Sequence, residues 1–373
     1  MRILHINCNY ILSTLHQLMI EELDSLGVEN QVYVPTYDKN LSVITPNNNV
    51  TVSECFKKWD RLVFDYKQSK IIKDIEKHFD VASFDCIHAY TLFTDGNCAK
   101  RLSEKYNIPY VVAVRNTDVN DFFRLMLHLR NRGVSVIRKA GAVFFLSEAY
   151  KKQVFDKYIP CKFRSDIAKK TQIIPNGIDD FWLKNSPDIK KGDFSDKKIR
   201  LVYAGKIDKN KNIPTTQKAV QILRKNGWDA ALTVVGKISD KKEFEKISAD
   251  CFTEYIAAQP KEKLMEIYRR HDIFVMPSFT ESFGLVYAEA MSQGLPVVYS
   301  KGQGFDGQFP EGTVGFSADS HSAETVANAV INICGNYYTI ADAALRGAQK
   351  FNWKDIVLRY SEVYKNVGKN RNK

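Results

Sequence analysis

Residues 271–300, HDIFVMPSFTESFGLVYAEAMSQGLPVVYS, have the pattern of a strand, a polar loop, a helix and a second strand. The apolar run Ile273–Met276 predicts a buried strand that ends at Pro277. Helix formers follow over Leu285–Gln293, and Gly294 stands where a helix commonly ends. The loop therefore lies at the carboxyl end of a strand, which is where open α/β sheets bind ligands.

Two carboxylates frame this unit: Glu281 lies in the loop, and Glu289 lies about one turn inside the predicted helix. Between them, the backbone amides of four residues lie at the predicted helix N-terminus: Ser282, Phe283, Gly284 and Leu285. Such an end attracts an anion such as a diphosphate, whereas carboxylates accept hydrogen bonds from sugar hydroxyls. The stretch therefore indicates a site for a nucleotide diphosphate attached to a sugar. The alternative is that Glu281 only complements the helix dipole and Glu289 is a solvated residue.

The same stretch resembles the signature of a known family. Its pattern from Pro277 to Val297, PS-x-x-E-S-F-G-L-x-x-x-E-A-M-x-x-G-L-P-V, is similar to the Glu-(seven residues)-Glu motif of retaining glycosyltransferases of family four, of the group 1 type. The resemblance implies an α/β chain with the GT-B fold, in which two Rossmann-like domains with parallel sheets face each other across a cleft. It also implies a metal-independent hexosyltransferase without a cofactor, since the nucleotide sugar is a substrate.

Length and composition fit this interpretation. A chain of 373 residues is long enough for two domains, and 44% hydrophobic residues is typical of a soluble globular protein. Residues 3–20 contain no Asp, Glu, Lys or Arg but carry too many polar side chains to span a membrane. The seven Cys are scattered without a CxxC pair, which favours reduced thiols in the cytoplasm over a disulfide framework or a metal site.

The net charge of +11 is concentrated in the segment Arg124–Lys170, where twelve Lys or Arg accompany only three acids. Such a segment can bind nucleic acid or an anionic membrane, and the alternative is a solvated face without a special role. No helix-turn-helix, zinc-finger or RNP signature is present, so we expect no nucleic acid. The resemblance favours a membrane, because many of these enzymes extend lipid-linked glycans. The predicted location is the cytoplasm, at the inner face of the plasma membrane.

The chain opens with a βαβ pattern: a strand over Arg2–Ile6, a helix over about Ile11–Leu26 and a strand over Gln31–Val34. No G-x-G-x-x-G motif appears, which disfavours an NAD or FAD site. The loop Asn7–Tyr10 lacks the glycines that the family often has after its first strand. We therefore expect a polar contact from this loop instead, with Asn9 as a candidate on the acceptor side.

Polar residues follow two further predicted strands of this half. His88 stands near the end of one strand, in I-H-A-x-T-L-F-x-D-G, a pattern typical of a subset of the family. After the strand Tyr110–Val114 come Arg115, Asn116 and Asp118. The resemblance implies that His88 faces the cleft and is a catalytic candidate. Relatives carry a histidine near residues 115–118, so their exact role does not transfer to this chain. From their position after a buried strand we expect Arg115, Asn116 and Asp118 to line the acceptor or sugar site, with Asn116 and Asp118 as catalytic candidates. The alternatives are a structural histidine and a loop capped by its own Asn and Asp side chains.

A basic pair, Lys206 and Lys211, follows the predicted strand Ile199–Ala204. The family has a basic pair here, usually Arg then Lys, that holds the donor diphosphate. Lys206 keeps the charge of Arg but lacks its planar two-pronged geometry. The alternative is an exposed lysine-rich loop. The resemblance also implies that the nucleobase lies along Tyr255–Pro260, largely against backbone groups.

Domain boundaries follow from the same comparison. Residues 1–180, which end in P-N-G-I-D, are predicted to form the acceptor domain. Residues 181–198 are predicted to be a linker, and residues 199–352 the nucleotide-sugar domain. The amphipathic helix within residues 353–373 is expected to pack back on the first domain.

By implication the chain is a retaining glycosyltransferase. It would move a hexose or N-acetylhexosamine from a nucleotide-diphosphate sugar, UDP in preference to GDP, to a glycan or lipid-linked acceptor in bacterial surface-polysaccharide synthesis. Donor binding would involve Lys206, Lys211, Ser282–Leu285 and Glu289, and Glu281 would be catalytic. Three alternatives stay open: a nucleotide-sugar epimerase of the same fold, a glycan phosphorylase-like enzyme, and a nucleic-acid-binding protein that uses the basic segment.

Overall fold

The computed structural model describes residues 1–44, 47–188, 192 and 194–369. Parts of the predicted linker and the last residues of the predicted C-terminal helix lie outside this range. The chain forms two compact units. The N-terminal unit comprises Met1–Leu146, Tyr150–Gly177 and the residues from Trp353 on, and the C-terminal unit comprises Ile178–Asn352 together with Ser147–Ala149.

Seven parallel strands form the centre of the N-terminal unit: β1 (Arg2–Ile6), β2 (Glu29–Thr36), β3 (Val50–Glu54), β4 (Cys86–Ala89), β5 (Tyr110–Val114), β6 (Ala142–Phe145) and β7 (Thr171–Ile173). Their order in the sheet is β3-β2-β1-β4-β5-β6-β7. The helices of this part of the chain are α1 (Leu15–Ser25), α2 (Phe64–His78), α3 (Thr94–Tyr106), α4 (Arg130–Lys139), α5 (Glu148–Lys157) and α6 (Cys161–Lys169).

Six parallel strands form the sheet of the C-terminal unit: β8 (Lys198–Ala204), β9 (Asp229–Gly236), β10 (Thr253–Ala257), β11 (Ile273–Met276), β12 (Val297–Ser300) and β13 (Gly315–Ala318). Their order is β10-β9-β8-β11-β12-β13. The helices are α7 (Asp180–Lys184), α8 (Ile213–Lys225), α9 (Lys241–Ser248), α10 (Lys261–Arg269), α11 (Leu285–Met291), α12 (Ala323–Gly335) and α13 (Tyr337–Gly347). A last helix, α14 (Trp353–Lys369), belongs to the N-terminal unit.

The prediction of two Rossmann-like domains with parallel sheets is confirmed. In each sheet the second and third strands lie on one side of the first strand, and the later strands lie on its other side. Ligands of such sheets bind at the point where the order reverses. That point lies between β1 and β4 in one unit and between β8 and β11 in the other.

Two local elements differ from the sequence prediction. A 3-10 turn over Tyr10–Leu12 precedes α1, so the predicted helix is broken near its start. The predicted linker contains α7, whose Trp182 is buried against Tyr268 and accepts a hydrogen bond from Gln293 through its carbonyl oxygen. Because an aromatic side chain stabilises the unit that buries it, this segment is part of the C-terminal unit.

Helix α14 packs on α1 and over β4 and β5. Its buried residues recur every three or four positions, as one face of a helix requires: Trp353, Ile356, Tyr360, Val363, Tyr364 and Val367. The Trp353 ring also explains why residue 177 is a glycine, because a Cβ at Gly177 would lie 2.4 Å from that ring. Among the described residues, no helix is long and apolar enough to cross a membrane.

His88 is part of the core beneath α14. Its side chain is fully buried, stacks on Tyr90 at 4.2 Å between ring centroids, and lies 2.6 Å through Nδ1 from the hydroxyl of Tyr364. Burial lowers the pKa of His88 well below its usual value, so the imidazole is neutral. The prediction that His88 faces a cleft is wrong. Successive strand residues point to opposite faces of a sheet, and this residue points to the face that α14 covers.

Asp95 is a buried carboxyl group in the first turn of α3. Its backbone N–H donates to Thr91 Oγ1 at 3.2 Å. Burial raises the pKa of Asp95 to about 7, and the neighbouring Thr91 and Cys8 groups lower it only in part. The folded state therefore keeps a proton that the unfolded chain releases near pH 4, roughly the usual value for Asp.

We expect the contribution of Asp95 to the stability of the protein to become less favourable as the pH rises from about 4 to about 7, because the folded state then binds more protons at Asp95 than the unfolded chain does. Asp95→Asn removes this contribution, which is on the order of 4 kcal/mol in full. Thermal unfolding at about pH 5 and about pH 8 tests it. The Tm of the wild type should drop further between the two pH values than the Tm of the variant, and equal drops would contradict the assignment.

Candidate functional site

The loops that follow β8 and β11 lie side by side, because these strands are neighbours in the sheet. Lys211 of the first loop and Glu281 of the second are 70 residues apart in the chain, yet Lys211 Nζ donates to Glu281 Oε2 at 2.6 Å. The two side chains are only 20% and 9% exposed. The structure thus brings together two of the predicted site residues at the point where the strand order reverses.

Asn210 holds the second loop in place beside the first. Its Nδ2 donates to the carbonyl oxygen of Thr280 at 2.9 Å, and its Oδ1 accepts from the backbone N–H and the hydroxyl of Thr280 at 3.0 and 2.7 Å. The carbonyl oxygen of Asn210 also accepts from the N–H of Phe279 at 2.9 Å. Glu281 therefore follows directly on a stretch of backbone that is fixed to the lysine loop.

The glycine-rich loop after β12 supports Glu281 from the other side. The backbone N–H of Glu281 donates to Gln303 Oε1 at 3.1 Å, and its carbonyl oxygen accepts from the N–H of Gly304 at 2.9 Å. A Cβ at Gly304 would lie 1.9 Å from the carbonyl oxygen of Ser282, so only glycine fits. Within the same loop, Asp306 accepts from the backbone N–H of Gly302 at 2.6 Å.

The turn into α11 has the conformation that its glycine permits. Gly284 has φ +74° and caps the helix, and a Cβ there would lie 2.4 Å from the ring of Tyr287. Phe283 is buried against Phe305 and Phe351, so its side chain is part of the core and only its backbone is available to a ligand. Helix α11 ends at Met291, two residues earlier than predicted.

Glu289 lies one turn into α11 and is half-buried. Burial raises the pKa of Glu289 to about 7, and the negative charge of Asp179 raises it further. Asp179 is itself paired with Lys261, whose Nζ lies 2.6 Å from its Oδ2. The nearby Tyr268 hydroxyl is buried without a hydrogen-bond partner among the residues that the structure describes. Glu289 is thus a carboxyl group that is poised to change its charge near neutral pH.

An apolar cavity of about 290 Å³ opens at the carboxyl ends of β8 and β9. Its lining includes Lys206 and, among others, Gly205, Gly236, Lys237, Ala258, Gln259, Leu264 and Val286. Val286 and Glu289 are three residues apart on α11, so they share a helix face. The cavity is therefore lined by the cation of Lys206 and by the face of α11 that carries Glu289.

The two lysines of the first loop differ in their surroundings. Lys206 is exposed and has no ion pair among the described residues, although its carbonyl oxygen accepts from the Tyr203 hydroxyl at 2.6 Å. Lys211 is half-buried and held by Glu281. Two cations beside a helix start and an apolar cavity form an arrangement that suits an anion with a flat or apolar group attached.

In the N-terminal unit, Arg115 and Asn116 mainly hold neighbouring segments. Arg115 donates through Nε to the carbonyl oxygen of Tyr90 at 3.2 Å and through Nη1 to Asn176 Oδ1 at 3.1 Å. Asn116 Oδ1 accepts from the Tyr150 hydroxyl at 3.3 Å. Both residues stay half-buried, and Asn9 is exposed, so their predicted contact with an acceptor stays a prediction.

Asp118 is buried and cannot reach a substrate. It accepts from the backbone N–H groups of Leu92, Phe93 and Arg115 at 2.9, 3.2 and 2.8 Å. Burial raises the pKa of Asp118 to about 6, while these three donors oppose the shift. The prediction of a catalytic Asp118 is therefore wrong: the carboxylate caps backbone groups at two strand ends, which is the alternative that the sequence left open.

Several residues of the site were not predicted from the sequence. Asn210 and Gln303, which fix the Glu281 loop, are single polar residues within polar loops and belong to no pattern. Among the cavity residues, Leu264 and Val286 have the spacing of ordinary core positions. Only the glycines at Gly302, Gly304 and Gly307 gave a signal, because three glycines in six residues indicate a constrained loop.

Comparison with known proteins agrees with the geometry. Residues 185–345 match the family model described as Glycosyl transferases group 1, and residues 15–180 match the model described as Glycosyltransferase Family 4. Among similar solved structures, sucrose-phosphate synthase from Thermosynechococcus elongatus has a TM-score of 0.76 at 18% identity, with 98% of each chain covered. HepE from Anabaena in complex with UDP has a TM-score of 0.74 at 17% identity, with 98% of this chain and all of that chain covered. The two matches and the solved structures together support a group 1 glycosyltransferase with the GT-B fold that resembles family four.

Curated relatives match more narrowly. The D-inositol 3-phosphate glycosyltransferase of Arthrobacter sp. (strain FB24) is 33% identical over 178 residues, which is 45% of this chain and 42% of that protein. The enzyme of the same name from Paenarthrobacter aurescens (strain TC1) is 26% identical over 306 residues, 76% of this chain and 72% of that protein. Over the first relatives, the match thus spans about two fifths of their length.

We expect the Lys211–Glu281 pair to stabilise the C-terminal unit. Lys211→Met should lower the free energy of unfolding by about 2–3 kcal/mol, because it removes the ammonium group that pairs with a nearly buried carboxylate. Adding Glu281→Gln should cost less than the sum of the two single changes. Thermal unfolding of the four proteins measures this coupling.

Lys206→Met is the matched control, because it removes the same charge from the same loop where no ion pair exists among the described residues. It should change stability by no more than about 0.5 kcal/mol. If Lys206→Met and Lys211→Met have the same effect, the ion pair does not stabilise the unit.

Proposed function

We propose that the protein is a retaining glycosyltransferase whose C-terminal unit binds a nucleotide-diphosphate sugar. The observation that carries the proposal is the Lys211–Glu281 pair, which stands where the strand order reverses and beside an apolar cavity. The match of residues 185–345 to the group 1 glycosyltransferase model supports the same assignment. The proposed donor is UDP-linked rather than GDP-linked, and a similar structure, HepE, was solved with UDP-glucose bound.

In this proposal each part of the donor has its own contacts. Lys206, Lys211 and the backbone amides of Ser282–Leu285 bind the diphosphate and stabilise the charge that develops as it leaves. The nucleobase enters the apolar cavity against Ala258 and Gln259. Glu289 accepts hydrogen bonds from the ribose hydroxyls, and Glu281 orients the donor sugar. Two lysines take the charge-neutralising role here, so the proposed mechanism uses no metal and no cofactor.

The configuration at C1 of the transferred sugar is retained if the acceptor attacks C1 from the same face that the diphosphate leaves. The bond between the sugar C1 and the diphosphate oxygen breaks, the acceptor oxygen bonds to C1 on the same face, and the acceptor proton passes to the departing phosphate oxygen. The configuration of the transferred sugar, read by NMR of the product, tests this step. An inverted product would contradict a retaining mechanism.

The proposed acceptor is a glycan or lipid-linked glycan of bacterial surface-polysaccharide synthesis, on the inner face of the plasma membrane. Asn9, Arg115 and Asn116 of the N-terminal unit are the acceptor-side candidates, and the basic segment Arg124–Lys170 is the candidate membrane contact. The named relatives act on inositol 3-phosphate. Arg115 gives less support to a phosphorylated acceptor, because two of its nitrogens already donate within the protein.

Donor binding is tested by a thermal-shift screen with UDP, GDP, ADP and their glucose conjugates. Binding to the folded state raises Tm by mass action, so the true donor nucleotide should give a clear increase. Glu289→Ala should abolish this increase, since it removes the ribose contact, whereas Glu266→Ala on an exposed face of α10 should keep it. No increase with any nucleotide, together with salt-dependent binding of RNA, would contradict the proposal and favour the nucleic-acid alternative.

We also expect the affinity for UDP-glucose to increase between about pH 6 and about pH 8, because the pKa of Glu289 is about 7 and its charged form is the stronger hydrogen-bond acceptor. The esterified diphosphate does not titrate in this range, so the change reports on the protein. Isothermal titration measures it, and Glu289→Gln should show a weak and nearly constant affinity. An equal pH dependence in the variant would show that another group is responsible.

A nucleotide-sugar epimerase of the same fold is the nearest alternative. It would bind the same donor but convert it without any acceptor. Incubation with the donor alone distinguishes the two functions, since an epimerase yields an isomerised sugar and a transferase leaves most of the donor intact.

A further inference from the structure

A second cavity lies in the C-terminal unit, at the edge of the sheet where its strands begin. It has a volume of about 460 Å³ and lies against the first halves of β8, β9 and β10 and the segment before β11. A cavity of this size is typical of a small-molecule site. We call it the amino-edge cavity, and its lining includes Arg200, Thr233, Phe252, Glu254, Arg270 and His271.

Strand pairing places the strand residues of the amino-edge cavity on one face of the sheet. Arg200 is paired with Ala231, and Glu254 is paired with Thr233, which lies two residues further along β9. Paired residues of neighbouring strands share a face, as do residues two apart in one strand. The side chains of Arg200, Thr233 and Glu254 therefore point to the same side, and the residues that follow α10 complete the cavity there.

The amino-edge cavity is separate from the apolar cavity of the proposed donor site. Gly205 and Gly236 line the apolar cavity, at the opposite ends of β8 and β9. Arg200 lies five residues before Gly205, which is about 16 Å along a strand. The two cavities have no lining residue in common. A ligand can therefore occupy the amino-edge cavity while a nucleotide occupies the other.

His271 and Thr233 hold each other in place within the amino-edge cavity. His271 Nδ1 lies 2.7 Å from the carbonyl oxygen of Ile267, and its Nε2 lies 2.8 Å from Thr233 Oγ1. Burial lowers the pKa of His271 below its usual value, so the imidazole is neutral at pH 7. Nδ1–H then donates to Ile267, and Nε2 accepts from the Thr233 hydroxyl. These groups form a fixed part of the cavity and add no charge to it.

The charged side chains of the amino-edge cavity are not paired with one another. Arg200 and Arg270 are exposed, and neither guanidinium forms a hydrogen bond or an ion pair within residues 1–44, 47–188, 192 and 194–369. The adjacent acid Asp272 accepts from the backbone N–H of Arg200 at 2.8 Å. Glu254 makes only a long contact, 3.5 Å, with the Thr233 hydroxyl. Two guanidiniums and one carboxylate are therefore available to a ligand.

We propose that the amino-edge cavity binds a sugar phosphate. The guanidiniums of Arg200 and Arg270 match the oxygens of a phosphate monoester, and Glu254 accepts hydrogen bonds from sugar hydroxyls. Phe252 offers an apolar surface to the sugar ring, and the guanidinium of Arg224 lies 4.0 Å from the centre of its ring. A plain anion would meet the negative charge of Glu254 without hydroxyl groups to satisfy it. This site does not depend on the proposed transferase function.

The test is isothermal titration of the full chain with glucose 1-phosphate, glucose 6-phosphate and fructose 6-phosphate, each with and without saturating UDP. At least one of them should bind at one site per chain in both conditions, about tenfold or more tighter than glucose or inorganic phosphate. Arg200→Gln and Arg270→Gln should each weaken this binding about tenfold or more. Glu254→Gln should weaken binding of the sugar phosphate but not of inorganic phosphate.

The matched control is Arg346→Gln, which removes the same charge from an exposed residue of α13 that pairs with Asp342 and lies outside the cavity. It should bind as the wild type does. The proposal is overturned if no sugar phosphate binds, if inorganic phosphate binds as tightly, or if both cavity arginine variants bind normally. Equal loss in Arg346→Gln would show a general charge effect, which also overturns it.

Displacement of the sugar phosphate by UDP would contradict the proposal as well, because the ligand would then occupy the apolar cavity. Thermal unfolding without ligand checks that the variants fold, and we expect their Tm to equal that of the wild type, since Arg200 and Arg270 have no side-chain partners among the described residues. A UDP-dependent thermal shift that is retained in Arg200→Gln separates failure of this site from failure of the proposed donor site.

Discussion

The reversal of strand order between β8 and β11 is the constraint on which the proposed donor site depends. Two strands that are distant in the chain become neighbours, so the loops that follow them must lie side by side. On the other side of β8 the strand ends are tightly packed, since a Cβ at Gly236 of β9 would lie 1.7 Å from the carbonyl oxygen of Gly205. Because β8 and β11 are neighbours, Lys211 in the loop after one meets Glu281 in the loop after the other.

The N-terminal sheet has the same reversal between β1 and β4, but its polar residues are used differently. Asp118 binds three backbone N–H groups, and Arg115 joins Tyr90 to Asn176. Each of these contacts holds loops that side-chain packing alone would leave loose. The same topology therefore yields an apolar cavity in the C-terminal unit and a framework of hydrogen bonds in the N-terminal unit. This difference fits the proposal that the C-terminal unit holds a donor and the N-terminal unit presents an acceptor.

The sequence predicted the two parallel sheets, because strand runs and glycines carry that information, and the resemblance assigned Lys211 and Glu281 to one donor site. The ion pair between them was not predicted. The sequence did not predict the burial of His88. A strand residue points to one of two faces, and the element that covers this face is α14, whose Tyr364 lies 276 residues further along the chain. Nor did it predict Asn210, because a single asparagine in a polar loop has no partner visible in the sequence. Such roles depend on contacts between distant segments.

The pairing of Lys211 also explains how a carboxylate can stand beside a proposed phosphate site. An ammonium group has three N–H donors, so Lys211 can keep its bond to Glu281 and still offer donors to an anion. Glu281 fixes the cation before any ligand arrives, which reduces the side-chain entropy that binding would otherwise cost. Lys206 is exposed and must be ordered by the ligand itself. In the proposed donor site, Lys211 would thus be a preorganised contact, and Lys206 would close on a ligand that is already in place.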